Sequence, residues 1–160
     1  MKSKLCIRGF TKVQLVESKT GKIVGDSGWI KNKIQKTGLE QMIASRVGLT
    51  GVGGSTPRYV GLGNHTSSIN STNFSAFNTS VGLHTAVNSG TIATTEGAYL
   101  QILNTFSGAA HTPAGATISA IGMFNTNTSS SMLAGTTFTG STWANDQDVR
   151  VTYELRFTQT

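Results

Sequence analysis

The feature of this sequence that most limits its fold is a long stretch with almost no charge. From Tyr59 to Asn145 the only formally charged side chain is Glu96, and Gly, Ser, Thr, Asn and Ala predominate. The apolar residues of this stretch come in short runs separated by turn-forming residues, which is unlike a disordered polar segment. We therefore predict a folded domain with short strands and long loops.

The clearest strand is at the end of the chain, where polar and apolar residues alternate. This alternation predicts one face in the core and one in water, because neighbouring side chains of a strand point to opposite faces. The residues predicted to point inward are Val149, Val151, Tyr153, Leu155 and Phe157, and those predicted to point outward are Arg150, Thr152, Glu154, Arg156 and Thr158. A turn at Gly21, which suits a position of positive φ, predicts a hairpin near the start of the chain.

One short helix is predicted, near residues 38–47. Thr37 and Glu40 have the spacing of a capping box, in which each side chain accepts a hydrogen bond from the backbone amide of the other residue. Gly48 is a natural terminator. The apolar stripe of the predicted helix is formed by Leu39, Met42, Ile43 and Val47.

The predicted fold class is mainly β, an antiparallel, jelly-roll-like β-sandwich with long loops. Seven or more short strands and one helix favour this class, because helices do not alternate with strands as they do in an α/β fold. The length fits one domain, so residues 1–160 are predicted to form a single sandwich. Residues 64–97 have few apolar anchors, and we interpret them either as a mobile loop or as an assembly arm that orders against a partner.

Positive charge is concentrated in the first third of the chain. The formal net charge is +6, and residues 1–46 carry ten of the thirteen Lys and Arg residues. This basic N-terminal third is predicted to form a positive surface that favours acidic partners. The predicted partner-binding residues are Lys2, Lys4, Arg8, Lys12, Lys31, Lys33 and Lys36.

The sequence contains no arrangement typical of catalysis, metal binding or cofactor binding. His65, His84 and His111 lack the spacing of a metal site, and Cys6 is the only cysteine. We interpret Glu96 as a hydrogen-bonded loop carboxylate rather than as a tuned catalytic group. We therefore expect no enzyme activity, no cofactor and no metal, and the short apolar runs predict neither a membrane span nor a signal peptide.

Basic residues near an aromatic ring also occur on nucleic-acid-binding surfaces, and Lys31, Lys33 and Lys36 follow Trp29 in this way. A solvated strand face would give the same pattern. No RNP, zinc-finger or helix-turn-helix signature accompanies these residues. We therefore do not expect nucleic acid as the partner.

Five segments stand in a characteristic order along the chain. They are "TGKIV", "IKNKIQKTGLEQMIASRVG", "RYVGLGNHTSS", "ISAIGMFNTNTSSSMLAGTTFTG" and "DVRVTYELRFTQ". In this order they resemble small structural proteins of tailed bacteriophages, in which a Gly-Leu-started helix precedes a strand ending in Gly-x-Gly and an Ile-Gly-x-Phe strand precedes a "LAG" turn strand. The stretch from Asn64 to Gly97 departs from that pattern as a long insertion.

The resemblance implies a virion structural protein, most directly a head decoration or cement protein. Its implied partners are the major capsid protein or other virion proteins and further copies of the chain, in a trimer or other ring. Its implied location is the virion, assembled in the host cytoplasm. The alternative is a tail, neck or adhesin component that binds a host-surface glycan or receptor, with Trp29, Trp143 and the Tyr residues as sugar platforms.

The uncharged stretch has a physical interpretation that fits assembly. Burying an unpaired ion costs several kcal/mol, whereas small hydroxyl and amide side chains find hydrogen-bond partners readily. We interpret residues 59–145 as contact surface for neighbouring copies or for a shell. A solvent-exposed loop region is the alternative interpretation.

Overall fold

The computed structural model describes residues 5–36, 38, 40, 59–65, 79–86, 90–93, 98–111, 116–124 and 132–159. Most of this part of the chain is β-strand, which confirms the prediction of a mainly β protein. A short helix, α1 (Gly108–His111), follows the seventh strand. The strands are β1 (Leu5–Glu17), β2 (Ile23–Asp26), β3 (Ile30–Ile34), β4 (Tyr59–Asn64), β5 (Thr79–Ala86), β6 (Gly90–Ala93), β7 (Ala98–Ser107), β8 (Ala116–Phe124), β9 (Met132–Trp143) and β10 (Gln147–Gln159).

The described strands form one antiparallel sheet. Their order across the sheet is β5-β4-β8-β9-β3-β1-β10-β7-β6, and β2 pairs with β1 beside β3. β3 joins the two halves of the sheet, because it pairs with β1 on one side and with β9 on the other. The sheet curls until it nearly closes on itself. The antiparallel arrangement is therefore confirmed, whereas a jelly-roll sandwich of two separate sheets stays a prediction.

The curled sheet encloses a hydrophobic core to which both halves of the sheet contribute. Trp143 of β9, Phe106 of β7 and Leu62 of β4 are fully buried members of one cluster, which also contains Tyr153 of β10. The indole Nε1 of Trp143 donates a hydrogen bond to the carbonyl oxygen of Gln147 at 2.8 Å. Its polar atom is therefore satisfied inside the core, as buried tryptophans require.

The terminal strand β10 lies between β1 and β7 and shows the predicted alternation. Arg150 and Arg156 are exposed, and the buried inward residues are Val149, Val151, Tyr153 and Leu155. Glu154 is the exception, because it was predicted to lie in water and is instead buried. Its carboxylate remains on the outer side of the sheet, where neighbouring side chains cover it.

The turn between β1 and β2 contains Gly21 at the predicted position of positive φ. Its φ is 72°, a conformation that favours glycine because a Cβ would clash there. The Gly21 amide donates to the carbonyl oxygen of Glu17 at 2.9 Å, and the Glu17 amide donates to that of Lys22 at 2.9 Å. The predicted hairpin is therefore confirmed.

The predicted helix at 38–47 is only partly covered by the described residues. Lys36 and Gly38 are helical, and a Cβ on Gly38 would overlap the backbone of Leu133 in β9. The start of this segment therefore packs closely on the sheet, while the predicted helix stays a prediction. Residues 41–47 lie outside the described residues.

The segment 64–97 contributes two strands to the sheet within its described residues. β5 pairs with β4, and β6 pairs with β7, so the two strands occupy opposite ends of the sheet order. The interpretation of this segment as an assembly arm stays a prediction. No helix in the described part has the length and apolar character that crossing a membrane requires.

Three polar side chains in the core have atoms without a hydrogen-bond partner in the described structure: the Tyr153 hydroxyl, the Asn32 amide and Nδ2 of Asn104. Burial raises the pKa of the Tyr153 phenol above its ordinary value of 10.0, and the nearby Asn32 amide opposes this shift without reaching hydrogen-bonding geometry. An unpaired buried hydroxyl costs about 1–3 kcal/mol. These groups therefore lower the stability of an otherwise apolar core.

Replacing Tyr153 by phenylalanine should leave the free energy of unfolding at neutral pH unchanged or raise it by up to about 2 kcal/mol, because an unpaired hydroxyl is removed. The wild type should also lose stability above pH 10, since the unfolded phenol then releases a proton that the folded phenol keeps. This loss is about 1.4 kcal/mol per pH unit, and the variant should lack it. Urea unfolding from about pH 8 to about pH 12 measures both effects. An alkaline loss of equal slope in both proteins would contradict the assignment.

Candidate partner-binding face

The outer face of β3, β1, β10 and β7 collects most of the described cations. Residues directly opposite each other in neighbouring strands share a face of the sheet, and Phe10 lies opposite Lys31 on one side and Glu154 on the other. Because alternate residues of a strand also share a face, this row fixes which side chains of these strands point outward. The part of this outer surface that carries the outward cations is called the basic face below. Its cations are Arg8, Lys12, Lys31, Lys33, Arg150 and Arg156.

The basic face contains four of the seven predicted partner-binding residues. Lys36 lies beyond the end of β3, where its exposed Nζ is 3.9 Å from Oε1 of Glu40. Lys2 and Lys4 lie outside the described residues. The four residues that the fold brings together on one face are Arg8, Lys12, Lys31 and Lys33.

Arg150 and Arg156 also belong to the basic face, although the residues predicted to bind a partner did not include them. Arg156 lies directly opposite Arg8 of β1, and Arg150 lies opposite Gln14. The alternation of the last strand already placed both arginines on its outer side. What the sequence did not show is that this strand pairs with the first one, so that basic residues distant in sequence become neighbours.

Arg156 is the most firmly held cation of the basic face. Its Nε donates a hydrogen bond to Oε2 of Glu154 at 2.8 Å, and its Nη2 lies 2.7 Å from the same oxygen in an ion pair. Oε1 of Glu154 accepts from Nε2 of Gln101 at 2.9 Å. The guanidinium carbon lies 4.3 Å from the ring centroid of Phe10 and 5.6 Å from that of Trp29. Both distances lie within the range of cation–π attraction. The Arg156 side chain is therefore fixed while 44% of it stays exposed.

Lys12 is paired with an acid at the edge of the basic face. Its Nζ lies 3.3 Å from Oδ2 of Asp26, which also accepts from Nε2 of Gln14 at 2.7 Å. The Gly28 amide donates to Oδ1 of Asp26 at 2.8 Å. Burial acts to raise the pKa of Asp26, but these hydrogen bonds and the Lys12 charge outweigh it and place the pKa below its ordinary value of 3.8. Asp26 is therefore charged at neutral pH and compensates Lys12.

The basic face has an excess of positive charge after these pairings. Among the described residues, Arg8, Lys31, Lys33 and Arg150 form no ion pair with an acid. Like charges held on one sheet face produce a positive potential that reaches over a Debye length, about 8 Å in physiological salt. This face is therefore suited to an anionic surface.

The predicted sugar platforms differ in exposure. Trp29 is 48% exposed beside the basic face, whereas Trp143 and Tyr153 are 0% exposed. The prediction that Trp143 could contact a glycan is therefore wrong, and Tyr153 is excluded for the same reason. Both rings are large apolar groups at inward-facing strand positions, so they are buried in the core.

In the described part, a serine and a histidine come into contact at Ser119 and His65. The Ser119 hydroxyl donates to Oδ1 of Asn64 at 2.9 Å and accepts from the His65 amide at 2.9 Å, so it is occupied by a structural role. No group of three His, Cys, Asp or Glu residues in the described part is placed to hold a metal ion. Glu96 lies outside the described residues.

Comparison of the chain with protein-family models, with curated proteins and with solved structures finds no match. A functional assignment therefore depends on the geometry and charge of the chain itself. The basic face combines an excess of positive charge with an arginine that is held in place by an acid and two aromatic rings.

Proposed function

We propose that this chain is a non-enzymatic virion structural protein, a head decoration or cement protein that docks through its basic face on an acidic patch of the shell. The observation that carries the proposal is the convergence of six cations from β3, β1 and β10 on one outer face. The order of segments along the chain, which resembles small structural proteins of tailed phages, supports the same role. As part of this proposal, the curled sheet has the two-layered, jelly-roll-like form that the sequence predicts.

The unpaired cations of the basic face would steer and orient docking. Each exposed charge pair contributes only about 0–1 kcal/mol, because solvent and salt screen it. Complementary charge instead raises the rate of productive encounter. Arg8, Lys31, Lys33 and Arg150 therefore act mainly on the association rate and on its dependence on salt.

The aromatic cluster beside these cations would hold the docked partner. Arginine and tryptophan are enriched among the residues that dominate binding energy, particularly where they are rigid and become desolvated. Arg156 is fixed by Glu154 and lies against Phe10 and Trp29. These side chains therefore act mainly on the dissociation rate.

A charge-matched pair of variants tests this assignment. Lys31 and Lys33 are exposed on the basic face, whereas Lys19 and Lys22 are exposed at the β1–β2 turn. The double substitution Lys31→Ser/Lys33→Ser should slow association with stripped particles by roughly tenfold at low salt and flatten the salt dependence, with dissociation nearly unchanged. Lys19→Ser/Lys22→Ser removes the same charge and should have little effect. Stopped-flow or surface-binding kinetics at low and high salt give both rates.

Three results would contradict the proposal. Equal slowing by the two double variants would mean that net charge, and not the basic face, governs docking. Association of the Lys31→Ser/Lys33→Ser variant at the wild-type rate would remove this face as the docking surface. Retention of nucleic acid through purification by the wild type, but not by this variant, would assign the face to nucleic acid instead.

One observation favours a second candidate function, a tail, neck or adhesin component that binds a host-surface glycan or receptor. The exposed ring of Trp29 beside the fixed Arg156 offers an aromatic and hydrogen-bonding platform of the kind that sugars use. The number of copies per particle distinguishes the two candidates. Hundreds of copies fit decoration of the head, whereas a few to a few tens fit a tail or adhesin position.

A further inference from the structure

The curled sheet has an open seam between β2 and β9. β3 pairs with β9 at two positions, Lys33 with Gly135 and Ile34 with Ala134. Beyond Gly135, β9 continues to Trp143. Over the same part of the sheet, the neighbour of β1 is β2 instead of β3. Among the described strands, β2 pairs with β1 alone, and this part of β9 pairs with β8 alone. Within the described part of the chain, two strand edges therefore face each other without pairing.

Two irregularities hold the seam open. On one wall, residues Ser27–Trp29 separate β2 from β3, and Gly28 has a φ of 63°. On the other wall, the register between β8 and β9 shifts, so that β9 residues 138–140 lie opposite Ser119. Bulges of this kind bend the strand that contains them and increase its local twist. The bent walls border a cleft of about 440 Å³.

The lining of this cleft consists of apolar residues, called its base below, and hydroxyl residues, called its rim, together with one charged residue. Asp26 is the one charged residue of the lining, and Lys12, Gln14 and the Gly28 amide already compensate it. The apolar lining residues are Val13, Leu15, Ile30, Ile118 and Phe138, and the hydroxyl residues are Ser27, Thr137, Thr139 and Ser141. An occupant that matches this lining carries no charge and places apolar groups toward the base.

The backbone of both walls presents hydrogen-bonding groups to the seam. The Gln35 amide donates to the carbonyl oxygen of Leu133, so the peptide groups of Leu133 and of every second residue after it point toward the β3 side. That repeat brings Thr137 to the seam. The Ser27 amide donates to the carbonyl oxygen of Val13, so the peptide groups of the preceding residue, Asp26, point away from β1 and into the seam.

An open edge with these properties is a template for another strand. Proteins usually protect such edges with lysine, proline or a covering segment. The β9 wall from Thr137 to Ser141 contains neither a charge nor a proline. It offers backbone donors and acceptors, an apolar base and an uncharged rim to an extended chain.

We propose that this seam receives an uncharged, extended segment of a second copy of the chain. The chain itself supplies the matching chemistry, because residues 59–145 contain strand-forming segments and a single charge, Glu96. β6 is one such uncharged segment, and among the described strands it pairs on one side only. This inference rests on the self-association that is part of the proposed function. It identifies the surface through which the copies associate.

The geometry of such a contact determines the kind of assembly. The seam and the inserted segment are different surfaces. Each copy therefore inserts its segment into one neighbour and accepts the segment of another neighbour in its seam. Head-to-tail contacts of this type close into rings when the rotation between copies allows it and otherwise form open filaments. The ring that the sequence resemblance implies is the closed form of such a contact.

Two variants of the same strand test the seam with the isolated chain. Thr139 lines the cleft, whereas Thr142 is exposed outside the lining and lies opposite Thr117 of β8. The substitution Thr139→Lys places a charge in the uncharged rim and should weaken self-association at least about tenfold. Thr142→Lys adds the same charge to the same strand and should leave self-association unchanged. Sedimentation velocity over a concentration series up to about 1 mM measures the association, and circular dichroism confirms that both variants fold.

Hydrogen exchange gives a second measurement on the wild type. The amides of residues 24–27 and 137–141 should become more protected as the protein concentration rises and the ring forms. A wild type that stays monomeric at about 1 mM, or equal association of the two lysine variants, would overturn the seam as the contact. Docking to stripped particles is measured separately, so failure of the seam and failure of the basic face are distinguishable.

Discussion

A chain with alanine in place of Trp143 should lose about 3–5 kcal/mol of unfolding free energy. The Trp143 ring is fully buried, and its Nε1 donates to the carbonyl oxygen of Gln147, so the substitution leaves both a large cavity and an unpaired carbonyl. Equilibrium urea unfolding, followed by circular dichroism, measures the loss.

The other tryptophan provides the control for this prediction. Trp29 is half exposed and contributes mainly its contact with the Arg156 guanidinium, so Trp29→Ala should cost only about 0.5–1 kcal/mol. The difference between the two variants tests where the core lies. Equal losses for Trp29→Ala and Trp143→Ala would contradict the placement of Trp143 inside the curled sheet.

Replacing Arg156 by alanine should lower the free energy of unfolding by about 1–3 kcal/mol. The side chain of Glu154 is 9% exposed, and its carboxylate would keep only the Gln101 hydrogen bond when its ion-pair partner is removed. Breaking a fully buried pair costs about 3–5 kcal/mol, and the smaller value reflects the partly exposed guanidinium. Thermal or urea unfolding measures the change.

A matched arginine and a double substitution complete this test. Arg150→Ala removes an exposed arginine of the same strand and face that has no described acid partner, so its effect should stay within about 0.5 kcal/mol. Combining Arg156→Met with Glu154→Gln should recover most of the lost stability, because the buried carboxylate is then uncharged. Equal effects of Arg150→Ala and Arg156→Ala would show that the Glu154 pair contributes nothing.

Local sequence patterns predicted several elements of this fold correctly. The alternation of the terminal strand identified its buried residues, because the two-residue period of a strand is visible without knowledge of its neighbours. Gly21 marked the hairpin turn, because few other residues adopt positive φ. These features depend on contacts within a few residues.

Features that depend on distant pairing could not be predicted in the same way. The pairing of β1 with β10 joins the two ends of the chain, and it brings Phe10 opposite Glu154. The burial of Glu154 follows from this pairing and from the approach of Gln101 on β7. No local pattern marks a carboxylate that neighbours from other strands will cover.

The candidate site shows the same division. The concentration of cations in the first third of the chain predicted a positive surface, and the pairing of β1 with β3 brings four of these cations to one face. Arg150 and Arg156 join that surface only through the register of β10, so composition alone assigned them no role. Trp29 and Trp143 looked equivalent in the sequence, and the fold exposed one and buried the other.

Chemical labelling of lysines tests the central claim of this account most directly. Lys19, Lys22, Lys31 and Lys33 are all exposed in the isolated chain, so an acylating reagent should modify all of them. In intact particles that contain the chain, mass spectrometry should find modification of Lys31 and Lys33 strongly reduced and that of Lys19 and Lys22 unchanged. Full modification of Lys31 and Lys33 in the assembled particle, with Lys19 and Lys22 protected instead, would show that the chain docks through a different face.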